Sequence, residues 1–220
     1  VGTGAIYLNP TTDNPKGTTY LWSKYNHKTN SSMTGRVEFD YEAERKTTET
    51  TYAEIVDEGI QNIFERYEND YAGKAPVIVG VLKGSVLFYT DLIRQIDLPL
   101  TVDFMSISSY GAGVNSSGEV KIIKDIDGKI GGKDVIIVED IVDSGYSMNC
   151  LLKLFGTRSP KSVKVCALLD KPSRREIPVK IDYTGFQVAN EFVVGYGLDY
   201  DGLYRNIPFI GVLKKEVYEK

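Results

Sequence analysis

The sequence predicts an α/β fold in which a mostly parallel, open sheet is flanked by helices. Residues 77–82 and 135–138 are uninterrupted apolar runs, and such short, largely β-branched runs are typical of strands covered on both faces. Each run leads through a short polar turn into apolar residues at helical spacing. Further strands are predicted over residues 100–108, 119–123 and 162–169, and the last of them follows the second helix. Alternating strands and helices predict parallel pairing, and 220 residues suffice for one such domain.

An acidic tip with small polar residues follows the central run. Glu139 and Asp140 end the predicted strand, and Asp143 opens a polar turn before a helix predicted over 148–156. Such a turn presents free N–H groups and the positive end of the helix dipole, which suits a phosphate. Carboxylates so close would repel one another by about 4 kcal/mol per pair at roughly 4 Å and an effective dielectric constant near 20, so they need a metal ion or sugar hydroxyls to share.

The position of this tip suggests its ligand. Ligands of open α/β sheets bind outside the carboxyl ends of the strands, so the tip predicts a site for a phosphorylated sugar. The alternative is an acidic turn with a good helix cap. That interpretation explains Asp143 and Ser144 but leaves the paired Glu139 and Asp140 without a role.

Composition and charge narrow the class of partner. A net charge of −4 and an isoelectric point near 5.2 argue against a general nucleic-acid binder, which usually has a basic surplus. No apolar run approaches the ~18 residues that a membrane span requires. Cys150 and Cys166 are the two cysteines, and we expect free thiols, which fit a reducing compartment. We therefore expect a cytoplasmic protein without a signal peptide that binds neither nucleic acid nor membrane.

The first 50 residues have little periodicity. Thr, Asn, Lys and Tyr are scattered through them, with a turn signal at residues 9–10. We expect an N-terminal extension of unknown role, followed by one domain over residues 51–220. Residues 51–54, Thr-Tyr-Ala-Glu, have the spacing of a capping box and predict the start of a helix that packs one face inward.

Polar residues follow the other predicted strands as well. Lys83 and Gly84 come directly after the predicted strand at residues 77–82, and Lys171 follows the predicted strand at residues 162–169. Taken alone, Lys83 would be interpreted as a surface lysine in a strand-to-helix turn. Residues 109–118 are a long loop of small residues that cannot pack against itself, so it is either a mobile lid or a disordered hairpin tip, and we favour the lid.

The stretch Glu-Asp-Ile-Val-Asp-Ser-Gly at residues 139–145 resembles the phosphoribosyl-pyrophosphate motif of type I phosphoribosyltransferases. Over residues 51–218 the chain resembles bacterial hypoxanthine-guanine phosphoribosyltransferases in particular. The resemblance implies the type I phosphoribosyltransferase fold with a small hood subdomain at about residues 171–208. It also implies a Mg²⁺-dependent purine salvage transferase, a homodimer or homotetramer, that converts hypoxanthine or guanine and phosphoribosyl pyrophosphate to IMP or GMP and pyrophosphate.

The resemblance further implies a role for each motif residue. Asp143 is expected to be the general base for N7 of the purine. Phosphoribose is expected to bind Glu139, Asp140, Asp143, Ser144, Gly145, Tyr146 and Ser147. Pyrophosphate is expected at Lys83, Gly84 and Arg205, and magnesium at Glu139, Asp140 and Asp199. The purine is expected against Lys171, Phe192, Val193 and Asp199, beneath a lid that begins at Ser109 and Tyr110.

Two of these roles have a direct physical reason. The Lys171 cation would bind O6 of a 6-oxopurine and reject the amino group of adenine, because two apposed donors leave both unpaired. Phe192 would stack on the purine. Without the central motif, Phe192 would be interpreted as core, and Asp199 with Arg205 as a surface pair.

Other segments are expected to be scaffold or solvated surface. We expect a solvated face at Arg174, Arg175 and Lys180, and a last strand at residues 209–213 that closes the sheet. Residues 187–190 depart from the turn that this family usually has before Phe192, and this difference in the hood leaves a xanthine-preferring enzyme as an alternative. A non-catalytic regulator that senses phosphoribosyl pyrophosphate would be expected to lose Asp143 or the base-reading residues, or to carry a basic face. This chain keeps the former and lacks the latter.

Overall fold

The fold is seen in a computed structural model, which describes residues 17–26, 31–40, 60, 63, 66–67, 69–109 and 120–218. The capping box predicted at residues 51–54 and the lid residue Tyr110 lie outside these ranges. Within them, no helix combines the length and the apolar character needed to cross a membrane.

A six-stranded sheet forms the centre of the protein. Its strands are β3 Val77–Leu82, β4 Thr101–Ser109, β5 Val120–Lys124, β6 Asp134–Val142, β7 Ser162–Asp170 and β8 Tyr183–Gln187. Their order in the sheet is β5-β4-β3-β6-β7-β8, and every neighbouring pair is parallel except β4 and β5, which are antiparallel. This confirms the predicted mostly parallel, open sheet.

Helices cover both faces of this sheet. On one face, Phe88 and Leu92 of helix α1 (Val86–Gln95) pack with Ile136 of β6. On the other face, Leu151 and Phe155 of helix α2 (Tyr146–Gly156) pack with Val135 and Ile137 of β6 and their neighbours. Neighbouring residues of β6 thus enter opposite cores, and each fully buried apolar side chain stabilises the fold by about 1.5–3 kcal/mol. The apolar run of the central strand arises because neither face meets water.

A second, two-stranded sheet lies in the C-terminal part of the chain. Strand β9 (Val193–Val194) pairs antiparallel with β10 (Gly211–Val212), and the 3₁₀ turn Pro172–Arg174 precedes β8. The prediction that residues 209–213 close the main sheet is therefore wrong. The run is apolar because Ile210 and Val212 are buried in the hydrophobic core, and an apolar run does not specify which strand it pairs with. The chain continues into the short helix α3 (Lys215–Tyr218).

Two further strands lie in the N-terminal extension. Strand β1 (Gly17–Asn26) pairs antiparallel with β2 (Ser31–Asp40), from the pair Gly17 and Asp40 to the pair Asn26 and Ser31. They form a two-stranded sheet that is separate from the central one. The sequence did not indicate this hairpin.

Candidate active site

Three of the predicted polar motifs meet at one edge of the sheet. Strands β3, β6 and β7 are adjacent and parallel, so their carboxyl ends lie side by side. Lys83 and Gly84 follow β3, Asp143 follows β6, and Lys171 follows β7. Two cavities open at this edge, of about 280 and 460 Å³, and Asp143 lines both of them.

The smaller cavity is built around the turn that begins α2. Its lining includes Asp143, Ser144, Gly145 and Ser147. Gly145 has a φ of 92°, and a Cβ atom there would lie 2.4 Å from the carbonyl oxygen of Ile177, so only glycine fits. The start of α2 therefore lies at the cavity, and the free amides of a helix start suit an anion.

Tyr146 belongs to the same turn, but its side chain has another partner. A hydrogen bond with Glu176 raises the pKa of the Tyr146 hydroxyl. The tyrosine ring is absent from the lining of the smaller cavity. Tyr146 can therefore contribute its backbone amide at this turn, while its hydroxyl is engaged with Glu176.

The carboxylate pair lies inside β6 rather than beyond its end, because the strand extends to Val142. Glu139 Oε2 is buried and makes no hydrogen bond. Burial, together with the charge of Asp140, raises the pKa of Glu139 well above its ordinary value. Burial also raises the pKa of Asp140, although a hydrogen bond with Glu139 opposes this shift. Two crowded carboxyls with an orphan oxygen are poised to share a proton, a hydroxyl donor or a cation.

The donor set is compatible with a magnesium ion that also uses substrate oxygens. In the part of the chain that the structure describes, no group of three or more His, Cys, Asp or Glu side chains could hold a metal by itself. Mg²⁺ is commonly held by one or two carboxylates together with substrate phosphates and water. Glu139 and Asp140 supply such a pair, and the orphan Oε2 of Glu139 is an unused hard ligand.

Asp143 is surrounded by cations. Its Oδ2 lies 3.9 Å from Nζ of Lys171, and its Oδ1 lies 3.6 Å from Nε of Arg174. Asp143 Oδ1 is buried and makes no hydrogen bond. Lys171 is itself buried and donates a hydrogen bond of 2.8 Å to the carbonyl of Glu191, and burial lowers its pKa. The result is a carboxylate with a free acceptor position beside a partly desolvated ammonium.

The larger cavity has the size and lining of a small-ligand pocket. All four residues predicted to bind the purine line it, namely Lys171, Phe192, Val193 and Asp199. Sequence reasoning missed several other lining residues, which are Arg174, Asn190, Glu191, Leu198 and Tyr218. Leu198 and Asp199 are neighbours in the chain, so their proximity was available as a signal, whereas nothing in the sequence indicates Tyr218.

The predicted pyrophosphate residues lie beside the acidic pair. A Cβ atom on Gly84 would lie 1.8 Å from Oδ2 of Asp140, so the loop after β3 touches the carboxylate directly. Gly197 also contacts this loop. A Cβ atom on Gly197, whose φ is 100°, would lie 1.9 Å from the carbonyl oxygen of Gly84. Lys83 is exposed, and the Leu82–Lys83 peptide bond is cis.

The guanidinium of Arg205 contacts Asp199 and the backbone of Gly197. Its Nη2 lies 2.6 Å from Oδ1 of Asp199, and its Nη1 donates a hydrogen bond of 2.6 Å to the carbonyl of Gly197. The ion pair between Asp199 and Arg205, which the sequence permits as an alternative role for these residues, is therefore present. Because both side chains remain about one-third exposed, at 29% and 32%, neither is committed to a purely structural role.

Arg175 contradicts the expectation of a solvated face. Its side chain is only 15% exposed and pairs with Asp170 at 2.5 Å. It also donates hydrogen bonds to the carbonyls of Val142 and Asp143, at 2.9 and 2.8 Å. Arg175 thus stabilises the backbone of the turn that precedes α2. Lys180 behaves as expected, with 85% of its side chain exposed.

The predicted lid is only partly described. Ser109 is the last residue of β4 and pairs with Val120 of β5. Tyr110 lies outside the described residues, so the lid stays a prediction. The two cysteines are free, as predicted, and burial raises the pKa of the Cys166 thiol.

Known proteins share both the sequence and the fold. Residues 49–201 match the phosphoribosyl transferase domain. The hypoxanthine-guanine phosphoribosyltransferase of Bacillus subtilis is 49% identical over 166 residues, which cover 76% of this chain and 92% of that protein. A crystal structure of a hypoxanthine phosphoribosyltransferase from Staphylococcus aureus superposes with a TM-score of 0.73 at 46% identity, covering 76% of this chain and 91% of that one.

Some relatives are much longer. The bifunctional protein TilS/HprT of Listeria monocytogenes is 51% identical over 163 residues, which cover 74% of this chain. This chain spans only 25% of the length of that relative. The domain match covers more than half of the chain, and it agrees with both the motif at residues 139–145 and the observed sheet. The chain therefore belongs to the phosphoribosyltransferase family, and several of its curated relatives are named hypoxanthine-guanine phosphoribosyltransferases.

Proposed function

We propose that this protein is a purine salvage transferase that joins hypoxanthine or guanine to phosphoribosyl pyrophosphate, giving IMP or GMP and pyrophosphate. One observation carries the proposal. An anion-binding turn, a buried carboxylate pair and a cavity for a flat base share one sheet edge, and Asp143 lines both cavities there. The names of the relatives support the same reaction.

In this proposal the sugar phosphate binds around the start of α2. The 5′-phosphate accepts hydrogen bonds from the backbone amides of residues 143–147 and from the hydroxyls of Ser144 and Ser147. The ribose hydroxyls donate to Glu139 and Asp140. Donation to the orphan oxygen of Glu139 would stabilise its charged form, which burial disfavours.

Magnesium fits the same group of residues. We propose Glu139 and Asp140 as ligands of one ion and Asp199 as a ligand of a second. When bound, magnesium neutralises the charge that develops on the departing pyrophosphate. Lys83, the Gly84 amide and Arg205 bind the same leaving group through charge-assisted hydrogen bonds.

The transfer itself exchanges one bond for another. The bond between the anomeric carbon and the pyrophosphate oxygen breaks, and its electron pair leaves with pyrophosphate. A purine ring nitrogen bonds to the same carbon, and Asp143 takes the proton that the purine releases from N7. The buried Oδ1 of Asp143, which makes no hydrogen bond, supports this role as general base.

The base cavity supports a 6-oxopurine. Lys171 donates to O6 of hypoxanthine or guanine, whereas the amino group of adenine would face a second donor. Val193 offers backbone atoms to the edge of the base, and Phe192 contributes an aromatic surface. Burial of Lys171 strengthens the discrimination, because an unpaired donor there has no access to water.

An absorbance assay tests the proposal. Hypoxanthine, guanine, xanthine and adenine are each incubated with phosphoribosyl pyrophosphate and Mg²⁺. We expect turnover of hypoxanthine and guanine and none of adenine. Preference for xanthine would replace the proposed substrate, and phosphoribosyl pyrophosphate binding without turnover of any base would favour a sensor instead of an enzyme.

Four further properties belong to this proposal. We propose a cytoplasmic homodimer or homotetramer, an N-terminal extension over residues 1–50, a hood at about residues 171–208, and a lid that begins at Ser109 and Tyr110. Free cysteines support the reducing compartment. Light scattering tests the oligomeric state, and deletion of residues 1–40 tests whether the extension contributes to turnover.

A further inference from the structure

We propose that Tyr218 is a base-binding residue of the larger cavity, where its ring stacks on Phe192 and contacts the 6-oxopurine. This inference rests on the proposed function and adds a residue to it. Tyr218 lies in α3, distant in sequence from every motif named above. It nevertheless lines the same cavity of about 460 Å³ as Asp143 and Lys171.

The contact between the two rings is close and nearly parallel. The ring centroids of Phe192 and Tyr218 are 5.1 Å apart, and the ring planes are inclined by 29°. Tyr200 packs edge-on against the same Phe192, with centroids 5.5 Å apart. Phe192 is therefore held between two tyrosines, and its orientation depends on both.

This spacing excludes a base sandwiched between Phe192 and Tyr218. Two rings that enclose a flat base stand roughly 7 Å apart, which is twice the carbon contact distance of about 3.5 Å. At 5.1 Å the two rings are in contact with each other, so no base fits between them, and a base can meet Tyr218 only where Phe192 leaves its ring uncovered.

Tyr218 also does not fill the cavity. The space of about 460 Å³ remains open while the two rings are in contact, and it lies within the range of small-ligand sites, roughly 300–1,000 Å³. A ring that occupied the position of the base would have removed much of this volume. We therefore interpret Tyr218 as part of the wall and not as a plug.

The backbone fixes Tyr218 in this position. Leu213 donates a hydrogen bond of 2.7 Å to the carbonyl of Phe192, which ties the start of the last segment to the hood. The hydroxyl of Tyr200 donates to the carbonyl of Val217 at 3.3 Å, next to Tyr218 itself. Because Phe192 lines the cavity and Tyr200 packs against Phe192, these two hydrogen bonds hold the last segment beside the cavity.

The consequence is a selective effect on the base. Loss of one aromatic contact should weaken purine binding roughly 3- to 10-fold, the range expected for a single ring contact. The proposed phosphate-binding turn lines the other cavity, whose lining does not include Tyr218, and the proposed pyrophosphate residues Lys83, Gly84 and Arg205 do not line the base cavity. The KM for phosphoribosyl pyrophosphate should therefore stay unchanged.

The test compares Tyr218→Ala and Tyr218→Phe with the wild-type enzyme. KM values for hypoxanthine, guanine and phosphoribosyl pyrophosphate are measured, together with GMP affinity by calorimetry and the melting temperature. We expect Tyr218→Ala to raise both purine KM values and the GMP dissociation constant roughly 3- to 10-fold, and Tyr218→Phe to restore them. Leu203→Ala removes another apolar side chain, which is 61% exposed, and serves as the control outside the cavity.

Other outcomes overturn the inference. Purine KM values that stay at the wild-type level in Tyr218→Ala would mean that the ring does not contact the base. Values that fall would mean that Tyr218 competes with the base, and equal rises in the purine and phosphoribosyl pyrophosphate KM values would mean a general loss of structure. A wild-type enzyme that turns over no purine would instead refute the proposed function.

Discussion

Replacing Gly84 by alanine tests whether the contact between the pyrophosphate loop and Asp140 matters for catalysis. A Cβ atom on Gly84 would lie 1.8 Å from Oδ2 of Asp140, whereas Cβ atoms essentially never approach another atom within 3.0 Å. That oxygen must therefore retreat by about 1.2 Å, the difference between the two distances. Asp140 is buried and hydrogen-bonded to Glu139, so it cannot rotate away freely.

A displacement of this size has a predictable effect on rate. Misplacing a catalytic group by about 1 Å lowers the rate roughly 100-fold, which corresponds to about 2.7 kcal/mol of transition-state stabilisation. We expect Gly84→Ala to lose this much in kcat/KM for phosphoribosyl pyrophosphate. The backbone of Gly84 does not require a positive φ, so the methyl group itself is the perturbation.

Steady-state kinetics with varied phosphoribosyl pyrophosphate measures the effect. Gly156→Ala is the matched control, since a Cβ atom on that glycine of α2 meets nothing within 4 Å. It should keep wild-type kinetics and gain up to about 1 kcal/mol of stability from its helical position. If Gly84→Ala keeps kcat/KM within about threefold of wild type, well short of the expected loss, the reasoning is refuted.

Three other changes address the remaining site residues. Asp143→Asn removes the proposed general base and should lower kcat at least about 100-fold while KM for phosphoribosyl pyrophosphate changes little; an unchanged kcat would remove the assignment. Arg175→Met breaks a largely buried ion pair and should lower the free energy of unfolding by about 3–5 kcal/mol, as measured by urea denaturation. Arg94→Met is the control at an exposed arginine, and equal stabilities of the two variants would contradict the supporting role of Arg175. Because burial raises the pKa of Glu139, the folded state holds its proton to higher pH than the unfolded chain, so this group lowers stability as pH rises from about 4.3 through the raised pKa. Glu139→Gln should therefore be more stable than wild type at pH 7 and equal to it at low pH, with lower activity; a constant difference across pH would contradict the shift.

The central strands and their turns could be predicted from the sequence. Strand β6 is apolar on both faces and ends in an acidic, glycine-containing turn, so local composition carries both its position and its chemistry. Strands β3 and β7 are also apolar runs, and each is followed by a lysine, which is why Lys83, Asp143 and Lys171 were expected at one edge. Parallel topology then brings these residues together without further information.

The hood could not be predicted in the same detail. The segments of β9 and β10 are short and apolar, and such segments do not reveal which strand they pair with. Arg175 appears solvated in the sequence because its partners at Val142 and Asp143 are backbone carbonyls, which leave no trace in residue identity. Tyr218 was missed because a single aromatic residue in a charged segment has no periodicity to place it.

The direct approach of Gly197 to Gly84 bears on any attempt to redesign base preference. No side chain lies between the two glycines, so volume added at Gly197 would press directly on the carbonyl of Gly84, in the loop proposed to bind the leaving group. Asn190 and Tyr218 line the base cavity, and neither is among the nearest atoms that a Cβ on Gly84 or Gly197 would meet. Engineering of the base pocket should therefore begin there, where acceptance of a new heterocycle can be altered without disturbing the departure of pyrophosphate.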